Sequence, residues 1–233
     1  MVDIKGLEKF ASRDFPGHIS ATIFTGGCNF RCPFCHNPDL VLRPRSLETV
    51  PRKVFMDFLD RRKDWLEGIC VTGGEPLMHP DLHENLAQIK KRGLLVKLDT
   101  NGSFPGRLKS VLSRGLVDAV AMDVKAPLKK YDQAAGIAVK VDDIRRSIDL
   151  IRESGKEHYF RTTLVPGLVE EGDLVRIGKE LKGCRRLVLQ RFSPDNTLDP
   201  SYARLKPHSD HHMREMADLI RPDIEEVVLE GLD

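Results

Sequence analysis

The sequence predicts an α/β fold, a partial and open (β/α)6-type barrel of parallel strands. Three observations lead there. Short apolar runs alternate with longer amphipathic stretches from residue 19 onward, the order left by parallel strands with helical crossovers. About six such units fit into 233 residues, whereas a complete eightfold barrel takes about 250. Residues with ligand chemistry, such as Asp99 and Asp123, fall at the ends of the apolar runs, where barrels gather their sites.

The first strand covers 19–25 and runs into Gly26, Gly27 and a cysteine loop. Residues 51–66 have helical spacing, with Val54, Phe55, Phe58, Leu59 and Trp65 on related faces. A short buried strand over 68–72 stops at Gly73 and Gly74. A helix over 81–91, a strand over 94–99, a helix over 106–114 and a strand over 117–124 follow. The next units pair a helix over 141–153 with a strand over 159–165, and a helix over 171–181 with a strand over 186–190. A helix over 208–220 and a short strand over 226–229 complete the pattern. The Pro-rich stretches around 38–51 and 194–207 read as loops between units, so a single domain over 1–233 is expected, its core at about 17–230.

Composition narrows the function. Lys and Arg number 37 against 35 Asp and Glu, a net charge of +2, too small for a dedicated nucleic-acid binder. The basic clusters Arg61–Lys63, Lys90–Arg92 and Lys129–Lys130 sit in or beside apolar-periodic segments and read as solvated helix faces or ends. The first 20 residues are too charged for a signal peptide, and no apolar run is long enough to span a membrane. A cytoplasmic protein is expected. Five cysteines, three of them within eight residues, point to a metal or redox site in a reducing compartment rather than to disulfides.

Those three are Cys28, Cys32 and Cys35, a C-x3-C-x2-C triplet. Thiolates this close can converge on one centre, and soft sulfur selects Zn, Cu(I) or an iron–sulfur cluster. A closed zinc site wants a fourth ligand, yet His36 adjoins Cys35, and Cys70 and Cys184 lie far along the chain. Three ligands on a four-iron cluster leave one iron open to bind a substrate; a zinc site completed by a distant residue stays as the alternative. Thr72-Gly73-Gly74-Glu75-Pro76 follows the second strand. Its glycines admit a ligand close to the backbone, and the Glu75 carboxylate suits a cationic amino group; alone, the stretch also reads as a tight turn. Cys70 reads as a core thiol, and His208, His211 and His212 as a solvated helix start.

The triplet, with an aromatic residue before its last cysteine, and the GGEP stretch resemble the radical S-adenosylmethionine (SAM) superfamily. Further stretches are similar to its glycyl-radical-enzyme activating enzymes. They are Asp14-Phe15-Pro16-Gly17, Cys35-His36-Asn37, Leu98-Asp99-Thr100-Asn101-Gly102, Met122-Asp123-Val124-Lys125-Ala126-Pro127-Leu128 and Phe160-Arg161-Thr162-Thr163. The chain most resembles activases of anaerobic (class III) ribonucleoside-triphosphate reductase, and pyruvate formate-lyase activases are relatives. The resemblance implies a [4Fe–4S] cluster on Cys28, Cys32 and Cys35, with SAM chelated at the open iron. Reductive cleavage of SAM then gives a 5′-deoxyadenosyl radical that removes a glycine Cα hydrogen from a partner enzyme. It implies SAM contacts from Phe34, Gly73, Gly74, Glu75, Asp99, Asn101 and Asp123, and places Lys125 and Arg161 near SAM or the substrate backbone. A monovalent cation is implied beside Asp99, Thr100 and Asp123, and flavodoxin or ferredoxin as electron donor. Where relatives carry a SAM-contacting histidine after the sixth strand, this chain has Gln190 or Ser193 instead. Two competing functions remain: a small-molecule radical SAM enzyme such as a 7-carboxy-7-deazaguanine synthase, and a non-catalytic metal-binding module.

Overall fold

The computed structural model describes residues 2–232. Eight strands form one sheet whose spatial order is their chain order. The first, β1 (Ile4–Ala11), runs antiparallel to β2 (Ser20–Thr25). From β2 onward all neighbours are parallel: β3 (Gly68–Gly73), β4 (Leu95–Thr100), β5 (Ala119–Asp123), β6 (Glu157–Leu164), β7 (Arg186–Arg191) and β8 (Glu226–Glu230). The two end strands, β1 and β8, do not pair, so the barrel is open along one side.

The helices are α1 (Pro38–Leu42), α2 (Arg52–Arg62), α3 (Leu82–Lys90), α4 (Pro105–Ser113), α5 (Tyr131–Ala135), α6 (Val141–Glu153), α7 (Glu171–Glu180) and α8 (Asp210–Ile220). They cover the outer face of the sheet for a reason visible in their spacing. Ile144, Ile148 and Ile151 of α6 recur at helical intervals and are all buried, while Arg145, Arg146 and Arg152 face water. The strand positions that face these helices, among them Ile23, Val71, Val96, Leu98, Met122, Phe160 and Leu187, belong to one continuous apolar core.

The opposite strand faces point into the barrel and are largely polar. Thr22, Cys70, Lys97, Asp99, Asp123 and Arg161 alternate with the core positions along their strands. A small separate cluster of Ala121, Tyr159, Val188 and Val228 packs among them. In the β4–β5 register Lys97 stands beside Ala119 and Asp99 beside Ala121. Two alanines on β5 therefore leave the interior space that long charged side chains fill.

All seven expected strands are present as β2 to β8. The expected count of six units falls short by the last strand, and β1 is an element that periodicity did not reveal. Its residues Glu8, Lys9 and Phe10 are exposed in a row, so it lacks the alternation of a half-buried strand. The Pro-rich stretch at 38–51, expected as loop, contains the short helix α1 and a turn of 3₁₀ helix at Pro44–Ser46.

Candidate active site

The strand β2 ends in Gly26-Gly27, and the cysteine loop begins there at the C-terminal mouth of the barrel. The loop is held by its backbone. Gly27 N–H donates to Leu40 O at 2.7 Å, Arg31 N–H to Ala135 O at 2.7 Å, and Asp199 N–H to Pro33 O at 2.9 Å. The Arg31 guanidinium turns back to donate to Cys28 O at 2.7 Å and to Phe30 O at 2.8 Å. Cys28, Cys32, Cys35 and the buried ring of Phe34 line one cavity of about 390 Å3. Burial pushes the Cys28 and Cys32 thiols up to about 11 and about 12.

The donor set fits an iron–sulfur cluster. It consists of soft thiols, and the Cys28 sulfur already accepts from Phe30 N–H at 3.4 Å and from Asn101 Nδ2 at 3.8 Å. Hydrogen bonds to sulfur of this kind tune cluster potentials.

Beside the loop, Gly73 and Gly74 allow a contact that no side chain would permit. Gly73 has φ +119° and lies against the backbone of Thr25; a Cβ on Gly74 would sit 1.8 Å from Gly27 O. Gly74 N–H donates to Thr25 O and Glu75 N–H to Gly27 O, each at 2.8 Å, so the end of β3 is bonded to the start of the cysteine loop. Glu75 itself departs from expectation. It is fully buried and does not line the cavity. Its carboxylate accepts from Leu77 N–H at 3.0 Å, Thr100 Oγ1 at 2.8 Å and Asn101 N–H at 2.7 Å. Instead of facing an amino group it ties the end of β3 to the turn after β4, and burial raises it to about 7 against the pull of those donors.

The interior charges form an alternating chain. Lys97 donates to Asp99; Arg161 donates through Nη1 to Asp99 at 2.9 Å and through Nε to Asp123 at 2.8 Å; Lys125 donates to Asp123 at 3.0 Å. Burial alone would raise both carboxyls, but Arg161, with Lys97 on one side and Lys125 on the other, holds Asp99 and Asp123 below the ordinary carboxylate range. Burial likewise disfavours the charged Lys125, and Asp123 outweighs it and raises the ammonium. The carboxylates beside which a monovalent cation was expected are bridged by the chain itself. The Arg161 guanidinium occupies the space between the two carboxylates, and the Thr100 hydroxyl is engaged by Glu75 and by Gly102 N–H.

Of the residues expected at the site, Gly73, Gly74, Asp99, Asn101, Asp123, Lys125, Arg161, Gln190, Phe34 and the three cysteines all line the cavity. Gln190 also donates to Glu230 at 2.9 Å, whereas Ser193 lies outside the lining and bonds Asp195. Sequence reasoning gave no role to three contributors. Asp14 lines the cavity and accepts from Thr22. Tyr131 receives Lys125 N–H at 3.4 Å and donates to Asp123 O at 3.3 Å, fixing the segment that carries Lys125. Lys97 is 1% exposed in an apolar strand, and a lysine there was itself the overlooked signal.

The family model for the radical SAM superfamily matches residues 22–176. The chain belongs to the radical SAM superfamily. Membership implies a [4Fe–4S] cluster and SAM as its cofactors. A Methanocaldococcus jannaschii protein assigned as a glycyl-radical enzyme activating enzyme is 30% identical, over 99% of this chain and 96% of its own. The pyruvate formate-lyase-activating enzyme of Streptococcus mutans is 29% identical over 84% of this chain and 78% of its own. Among solved structures, SAM-bound SuiB of Streptococcus suis is 15% identical and superposes with a TM-score of 0.68. That match covers 88% of this radical SAM protein and about half (48%) of SuiB, and it establishes the shared fold.

Proposed function

We propose that residues 1–233 form one radical SAM domain that activates a glycyl radical enzyme in the cytoplasm, with flavodoxin or ferredoxin as reductant. In this reading Cys28, Cys32 and Cys35 hold the cluster. A cluster held there would supply the one electron that cleaves SAM to methionine and a 5′-deoxyadenosyl radical, which would take a glycine Cα hydrogen from the partner. The chain's own residues bind and orient. Gly73 and Gly74 offer bare backbone to the SAM amino group, and Phe34 gives the nucleoside an apolar wall. Arg161 and Lys125 are the cationic side chains on the cavity wall and would hold the anionic carboxylate of SAM at the mouth.

One observation carries the choice of a protein substrate. The cavity is not closed: it shares Asp14, His36, Arg161 and Gln190 with a groove of about 890 Å3. That groove runs between the Ser12–Gly17 segment and Glu230–Leu232, along the open side of the barrel. A loop of a partner seated there would reach the cysteine face and exclude water from it. The first partner to test is the anaerobic ribonucleoside-triphosphate reductase.

Anaerobically reconstituted, reduced protein incubated with SAM and that reductase should give a glycyl EPR doublet. Turnover of a pterin without any protein partner, and no doublet with any glycyl radical enzyme, would replace this reading with the synthase. One zinc per chain and no iron would replace it with the recruitment module.

A further inference from the structure

We propose that Lys97 is a positioning residue which, from deep inside the barrel, sets the orientation of Arg161 and Lys125 at its mouth. Lys97 lies on β4 one inward position below Asp99, and its side chain is almost wholly out of water. Its ammonium touches the Asp99 carboxylate, stands 3.6 Å from the Cys70 sulfur, and lies 5.4 Å from the centre of the Tyr159 ring. Of these neighbours Asp99 lines the cysteine cavity, while Tyr159 lines the adjoining groove, so the ion chain is the route from Lys97 to the cavity itself.

That chain has no slack. Asp99 uses Oδ1 for Lys97 and Oδ2 for Arg161, and Arg161 uses separate nitrogens for Asp99 and Asp123. With Lys97 in place, Asp99 presents one oxygen to Arg161. The guanidinium is thereby left free to point Nε at Asp123, which in turn fixes Lys125 at 3.0 Å. Without Lys97, Asp99 Oδ1 keeps only the long Cys70 thiol contact at 3.8 Å and becomes available to the guanidinium. A two-toothed Asp99–Arg161 pair is the stronger geometry, and it draws Nε away from Asp123. A buried lysine that served only to neutralise Asp99 would be redundant, because Arg161 already does so.

The test uses the full chain without cluster, so its outcome is separate from that of the activase proposal. The Arg161 Nε–H is followed by 15N NMR through its exchange with solvent. Lys97→Met should speed this exchange by about tenfold, the scale of coupling within one ion-pair network. Lys97→Arg should recover most of the protection. Cys70, whose thiol also donates to Asp99 Oδ1 at 3.8 Å, is kept in every variant. Should Lys97→Met not fold, Lys97→Leu, which likewise takes the lysine donor from Asp99 Oδ1, is read the same way. Wild-type exchange in whichever of the two folds overturns the proposal. Loss of the fold in both overturns it too, since Lys97 would then be a support of the barrel.

Discussion

Glu75 holds a carboxylate entirely out of water with three hydrogen-bond donors and no cation against it. Its raised value of about 7 has a consequence for stability. The unfolded carboxyl titrates near 4.3, so the folded state binds the proton more tightly and is favoured at low pH; that contribution fades as pH rises toward about 7. Going from about pH 5 to about pH 8, the wild type should lose roughly 2–3 kcal/mol relative to Glu75→Gln. Urea unfolding of both proteins across that range measures the difference, and parallel stability curves would contradict it. The carboxyls held below the ordinary range, among them Asp99, Asp123 and Asp173, act with the opposite sign and cancel in the comparison, being present in both proteins. Residues such as Cys28, Gly74 and Asp123 were legible in the sequence because their chemistry is tied to local spacing or to a strand end. The partners of Glu75 and the role of Lys97 were not, because Thr100 and Asn101 lie 25 and 26 residues from Glu75, and Cys70 lies 27 from Lys97, all brought together only by the sheet. Glu75 carries the motif's charge, yet its geometry is set by Thr100 and Asn101.

The cysteine loop is an element without regular structure, and its shape comes from what it leans on. Two glycines mark the contacts. Gly74 passes under Gly27 O, and Gly136, at φ +66°, ends α5 so closely that a Cβ would lie 2.1 Å from Arg31 O. Both neighbours are backbone, which cannot swing aside as a flexible side chain would. Gly74→Ala should therefore leave the barrel folded, by circular dichroism, but displace the loop and lower the iron bound per chain after anaerobic reconstitution by severalfold. Wild-type iron content would show that the loop does not need this contact. The strands and helices themselves were readable, since each buries one face at a period of two or near 3.6. An edge strand such as β1 buries too little to leave that signature, and α1 is too short for any period.

At the scale of the molecule, an open sheet turns a liability into access. Six parallel strands, β2 to β7, place residues around one cavity, and the unpaired side between β1 and β8 lets that cavity continue into the lateral groove. The barrel interior is correspondingly polar. Its charges are paired into a single chain, because an isolated buried charge would cost several kcal/mol, whereas each member here has an opposite neighbour. The same arrangement keeps Arg161 and Lys125 charged at the mouth. The open barrel was legible from the alternation and the chain length. The continuous groove was not, since it is built by the Ser12–Gly17 segment and the residues after β8, neither of which carries a motif for it. No helix among the described residues is long and apolar enough to cross a membrane.

The claim on which the rest depends is that Cys28, Cys32 and Cys35 together make the chain competent to cleave SAM. The direct measurement is 5′-deoxyadenosine formed by the anaerobically reconstituted, reduced chain, wild type beside Cys32→Ala. The wild type should form it, and the variant should form none while keeping its circular dichroism spectrum. Equal formation by the two proteins would contradict the assignment.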